Sequence, residues 1–155
     1  MKRIFTLIII GFLTISCTDD ENCCTVIDIG VDIKYLNENG ENLFDISNGF
    51  DFSKINAYHK NDGNWEKYFE GNLDYPKGLM LVERKDGTYL RIFPSTTIVE
   101  NNISESKIEF SENDSDILKT EITKTNSNTI VKKVWYNGEL KWESGKTERL
   151  FEIIK

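Results

Sequence analysis

Few side chains in this sequence could do chemistry, and each has a plainer reading beside the chemical one. His59 is the single histidine and so the one side chain that titrates unperturbed near neutral pH, which makes it the default acid–base group in partnership with a carboxylate. It shares the parity of Ile55 and Ala57 in an extended segment. That pattern predicts a partly buried structural histidine instead. Serines are plentiful, but no G-x-S-x-G elbow frames one as a nucleophile. The acids of "SENDSD" (111–116), Glu112, Asp114 and Asp116, offer hard oxygens of the kind that hold Ca²⁺. A calcium loop also needs a glycine turn and a distal bidentate glutamate. Here a strand pattern follows at once, so "SENDSD" reads as a solvated hairpin loop, and "NENGEN" (37–42) reads likewise. No catalytic residue, cofactor site or metal site is assigned, and the chain is read as non-enzymatic.

Two thiols, Cys23 and Cys24, are neighbours. Consecutive Cα atoms lie about 3.8 Å apart, short of the roughly 4.4–6.8 Å of an ordinary disulfide. One buried and one exposed thiol at the start of the first strand is the plain reading; a vicinal or intermolecular disulfide is the sharper one. No C-x-x-C spacing exists and the histidine is distant, which argues against a metal site. The rings carry more information. Tyr58, Trp65, Tyr68, Phe69, Trp135, Tyr136 and Trp142 all fall in extended segments, and an exposed row of rings is a stacking platform for sugar or peptide. Parity sends Trp65 and Phe69 to the core and Tyr68 to solvent. Across the "NG" at 137–138, Trp135 should face Leu140 and Val134 should face Lys141. Cross-strand packing accounts for most of these rings; Tyr58, Tyr68 and Tyr136 stand as the candidate ligand platform.

The elements that would position such groups read as strands. In "VIDIGVDIKY" (26–35) Ile27, Ile29, Val31, Ile33 and Tyr35 alternate with Asp28, Gly30, Asp32 and Lys34, so a period of two makes one strand with an apolar face and a wet one. On this reading Val31 is core and Asp32 is solvated, so that Asp32→Asn should be nearly silent. Segments 55–60 and 64–70 flank "NDG", and 79–85 and 88–93 flank "DG", as hairpins do. Between them "GNLDYPKG" should be a loop that crosses between sheets. Further strands read at 107–111, 117–125, 129–136, 139–143 and 149–154. Asn137 and Gly138 should form a type I′ turn, both at positive φ. Ten strands with no sustained helical period predict an all-β fold of antiparallel sheets. The favoured form is a two-sheet, immunoglobulin-like sandwich over residues 25–155 as a single domain; a lipocalin-like barrel is the alternative.

The N-terminus carries an address. Lys2 and Arg3 precede an apolar run from Ile4 to Ile15, about a dozen residues where a span needs about 20. This is a secretory signal pattern, residues 1–16, with cleavage after Ser16. The stretch Leu13-Thr14-Ile15-Ser16-Cys17 resembles a bacterial lipobox with its leucine offset by one, and the acids Asp19, Asp20 and Glu21 that follow resemble the surface-export signal of Bacteroidota lipoproteins. The resemblance implies diacylglyceryl attachment at Cys17, an acidic tether over 17–24, and an outer-membrane anchor displayed on the cell surface; a periplasm-facing accessory subunit is the alternative topology. Several acyl chains at about 0.8 kcal/mol per methylene hold such an anchor in its bilayer.

Charge narrows the partners. Of 19 basic residues, Lys2 and Arg3 lie in the signal, which leaves 17 against 26 acids, a formal charge of −9. Such a surface repels phosphate backbones, so nucleic acid is not an expected partner. The expected partners are the bilayer, through acylated Cys17, and a protein or glycan.

Overall fold

The computed structural model describes residues 25–155. Cys17, Cys23, Cys24 and the signal and tether expected before residue 25 lie outside the described residues.

Among the described residues eleven strands form two sheets. They are β1 (Val26–Asp28), β2 (Val31–Leu36), β3 (Asn56–Asn61), β4 (Asn64–Lys67), β5 (Leu79–Arg84), β6 (Gly87–Ile92), β7 (Ile103–Ser111), β8 (Asp114–Lys124), β9 (Asn128–Tyr136), β10 (Glu139–Glu143) and β11 (Leu150–Ile154). The larger sheet has seven strands, ordered β1-β9-β8-β7-β3-β4, with β10 also on β9; the smaller runs β11-β2-β6-β5. The sheets pack face to face as a sandwich and do not close into a barrel. Both are mixed. β1 runs parallel to β9 and β11 parallel to β2, which corrects the expectation of purely antiparallel sheets. Turn chemistry dictates only hairpin neighbours, and both parallel pairs join segments distant in sequence.

The eleventh strand comes from a break. Residues 26–35 do not form one strand: β1 belongs to the larger sheet, and after Ile29 and Gly30 the chain passes to the smaller sheet as β2. Val31, Ile33 and Tyr35 are fully buried, as alternation demands, whereas Ile27 before the break is exposed on an edge. The "NDG" and "NG" turns form as read, with Asp62, Gly63, Asn137 and Gly138 all at positive φ. In the third hairpin Arg84 pairs with Gly87, so the turn is Lys85-Asp86, one residue earlier than "DG" suggested. Residues 68–78 do cross from the larger sheet to the smaller.

The core is built from Val31, Ile33, Tyr35, Leu90 and Ile92 of the smaller sheet facing Ala57, Ile108, Leu118, Ile122, Val131 and Val134 of the larger. Two bulges set which side chains face in. In β9 one falls at Lys132, so Val131 and Val134 both point inward although three residues apart. In β10 one falls at Lys141, so Val134 opposes Trp142 rather than Lys141 and carries that ring inside. Several buried polar groups on the inner face pair with one another. The hydroxyls of Ser104 and Thr120 lie 2.7 Å apart. Tyr136 donates its one hydroxyl proton to Asp116, which also accepts from Asn137 (2.8 Å) and Lys155, so the Tyr35 hydroxyl, 3.1 Å from that of Tyr136, donates to it. Burial pushes Asp116 up, but the hydrogen bonds from Lys155, Tyr136 and Asn137 outweigh it and hold its carboxyl below the ordinary range. "SENDSD" is therefore only in part a loop: Asp114–Asp116 open β8, and Asp116 is a core anchor.

Candidate ligand platform

The outer face of the larger sheet gathers its side chains by register. The "NDG" hairpin sets Trp65 opposite Lys60. The pairing of His59 with Ser106 puts Lys60 beside Glu105, which pairs with Lys119, which pairs with Trp135, which pairs with Leu140. Directly opposed residues share a face. One line of side chains thus crosses the sheet, Trp65, Lys60, Glu105, Lys119, Trp135, Leu140. Its two tryptophans sit four strand spacings apart, about 19 Å at roughly 4.8 Å each.

Glu105 is the pivot. It takes Lys60 Nζ at 2.7 Å and Lys119 Nζ at 2.9 Å. Burial pushes its carboxyl up; the hydrogen bonds from the two ammonium groups prevail and keep it below the usual carboxylate range. Lys60 also lies 5.5 Å from the Trp65 ring, and Lys107 lies 4.2 Å over Tyr58, distances at which a cation is drawn to a ring face. Beside the line, residues 99–103 curl into a wall, with Val99 N–H on the Ile103 carbonyl at 2.8 Å and Asn101 and Asn102 at positive φ. Wall and sheet enclose a depression of about 330 Å³ lined by Val99, Glu100, Asn101, Glu105, Lys119 and Trp135 among others. That is the low end of the volumes small-molecule sites occupy.

The three tyrosines named from sequence part company. Tyr58 is on this face, half-buried, its hydroxyl donating to Glu109 at 2.9 Å; burial and that carboxylate push the phenol up. Tyr136, expected on the platform, is 4% exposed and belongs to the core, where Asp116 and Tyr35 satisfy its hydroxyl. Tyr68 lies beyond β4 and turns the other way, its ring 4.3 Å from that of His59. It also rests against Gly78, where a Cβ would stand 2.9 Å from the ring and where φ is +66°, so only glycine fits. Phe69, expected in the core, is 64% exposed because β4 ends at Lys67. Trp65 is half-buried on the outer face rather than in the core.

His59 sits on the inner side of β3 at the flank of the sandwich. Burial lowers its pKa, opposed by a hydrogen bond with the Phe93 backbone, and Nε2 is buried without a hydrogen-bond partner. The ring is flanked by Tyr68, and among the described residues no carboxylate bonds to it. Among the described residues no three His, Cys, Asp or Glu are arranged to hold a metal ion.

The line of Trp65, Lys60, Glu105, Lys119 and Trp135 escaped sequence reading because it depends on registers between β3, β7 and β8. Only the Trp65–Lys60 pair, fixed by the "NDG" turn, was open to inference. Compared with family models, curated proteins and solved structures, the chain matches none.

Proposed function

We propose that this chain is a non-enzymatic binding module held in the bacterial cell envelope by a lipidated Cys17, displayed on the outer-membrane surface, and that it engages its partner through the outer face of the seven-stranded sheet. The observation that carries the binding surface is the line of half-exposed rings and alternating charges from Trp65 to Trp135 beside the depression walled by residues 99–103. Rings of this kind give contact area at small cost in rotamer entropy. The anchor rests on the lipobox-like stretch and the acids after it. The immunoglobulin-like kinship expected from the sequence belongs to the same proposal, supported by the two-layer packing and a first strand shared between layers.

Two measurements test the proposal. Cys17→Ser should move the protein from the membrane fraction to the soluble one; continued need for detergent would refute the anchor. Acrylamide quenching of the detergent-solubilised full chain, with and without added envelope polysaccharide and peptidoglycan fragments, reads the face. Partner binding should shield Trp65 and Trp135 while the buried Trp142 stays unchanged, and partner binding without shielding would place the surface elsewhere.

A further inference from the structure

We infer that the line across the larger sheet is a subsite for an uncharged oligosaccharide lying across the strands, with one sugar ring stacked on Trp135 inside the walled depression and the chain running toward Trp65. This inference rests on the reading of that face as the binding surface and narrows it to a ligand class.

Main-chain chemistry disfavours a peptide. β3, β7, β8 and β9 are each paired on both sides, β9 by β8 on one flank and by β1 and β10 on the other, so from Lys60 to Trp135 no strand edge is free for an extended peptide to form a ladder, and the open edge of β4 lies beyond, at the Trp65 end. Polar recognition there falls to side chains alone. The charges then select against ions. Glu105 stands between Lys60 and Lys119, both already paired to it. Lys60 and Lys119 are balanced by Glu105 and by Glu100 at the rim, so the line presents no net charge to draw an ionic ligand of either sign. A hydroxyl both donates and accepts. It can add to a carboxylate oxygen with a spare lone pair or to an ammonium with a spare proton without breaking either ion pair. Asn101 and Glu100 at the rim extend the same mixed vocabulary, and the formal charge of −9 beyond the signal disfavours polyanions at longer range.

Rings at both ends fit a chain rather than a single sugar. Trp135 is half-buried with its neighbours Lys119 and Leu140 exposed, which leaves ring surface for the apolar face of a pyranose. Trp65 offers a second ring about 19 Å away by strand spacing. The polar triad lies between them, where hydroxyls of intervening residues would pass.

The test is affinity electrophoresis of the detergent-solubilised full chain through native gels containing dextran, mannan, xylan or a β-1,3-glucan, with pectate and alginate as polyanionic counterparts. At least one neutral polysaccharide should retard the protein and neither polyuronate should. Trp135→Ala should weaken that retardation tenfold or more, and Trp65→Ala and Glu105→Gln should weaken it by a smaller factor. A circular-dichroism melt of each variant confirms folding, and a variant with a collapsed melt is replaced by Trp135→Leu, which keeps apolar bulk but no ring. Polyuronate binding that depends on Trp135 would overturn the uncharged class and leave the face as a binding surface. Retardation by no polysaccharide would overturn the sugar assignment. Retardation indifferent to both tryptophans would overturn the assignment of the face itself.

Discussion

The two outer faces of the sandwich are both rich in charge, yet they use it oppositely. On the smaller sheet Asp32, Lys34, Tyr89 and Arg91 point away from the core, but Asp32 and Tyr89 are each only 2% exposed. Arg91 grips Asp32 through Nε at 2.6 Å and Nη2 at 2.8 Å, and Arg84 adds Nη2 at 2.6 Å while also holding Glu148. Arg84 and Lys34 cover the Tyr89 ring, whose phenol is pushed up to about 12 by burial and by Asp86. The face is sealed by its own side chains. On the larger sheet lysines replace arginines, one carboxylate serves two of them, and the rings between remain half-exposed. Planar guanidinium forks close around a carboxylate, whereas an ammonium on a flexible stem keeps donors to spare. Charge density alone therefore does not distinguish the two faces; what does is how far the side chains cover one another's carboxylates and rings.

The largest expected effect is on the sealed face. Asp32→Ala leaves two arginines facing each other and should cost roughly 2–4 kcal/mol, since removing one partner of a buried pair is costly and partial exposure of the arginines moderates it. Asp32→Asn should also destabilise measurably, contrary to the solvated aspartate expected from parity. Urea unfolding gives both values, and two silent variants would erase the distinction between the faces. Next is Gly138→Val, where φ of +88° forbids β-branching although nothing crowds the position; strain of about 1–2 kcal/mol should appear, with loosened pairing of Trp135 and Leu140. An unchanged melt would show that the turn does not fix this end of the platform. Smallest is Glu105→Gln on the open face, at about 1 kcal/mol or less, because its lysines can rehydrate. A loss as large as that of Asp32→Ala would make the open face a second seal.

pH separates the regions further. The Asp32 carboxyl is pushed up by burial but held below its ordinary value by Arg91 and Arg84, so its stabilisation is present above the unfolded value near 3.9 and is lost as pH falls through the lower folded value. His59 runs through a higher window. Burial lowers its pKa, so the unfolded chain takes up a proton near pH 6.5 that the folded chain resists, and stability falls as pH drops below about 6.5. With one histidine in the chain, His59→Phe should flatten thermal stability between pH 5 and 7 and leave the steeper acid loss intact. A slope that survives this substitution would assign that window to another group.

Local rules made much of the fold legible. Alternation placed Val31, Ile33 and Tyr35, and asparagine or aspartate before glycine placed two of three hairpin turns. What stayed hidden was non-local. The break at Gly30 lies inside an unbroken alternation, and nothing in residues 26–28 announces β9 as their partner. Parity failed at Asp32 because two arginines from β5 and β6 bury a carboxylate on an outward face. The expected pairing of Val134 with Lys141 failed because a bulge at Lys141 brings Trp142 opposite Val134 instead. Tyr136 was misplaced for a related reason, since its hydroxyl finds Asp116 one strand away rather than water. The candidate site was the least legible part, because a line across five strands needs four registers and a hairpin supplies one at a time.

The divided first strand has a mechanical consequence. Tension applied at residue 25 is met first by Val26–Asp28 along β9, where Arg149 clamps the Asp28 carboxylate at 2.8 and 3.0 Å and reaches the carbonyl of Gly30 at 3.0 Å. Past Gly30 the same load enters β2, in the middle of the other layer between β11 and β6. A pull on the N-terminus is therefore shared between both sheets, with Arg149 as the rivet where the force divides.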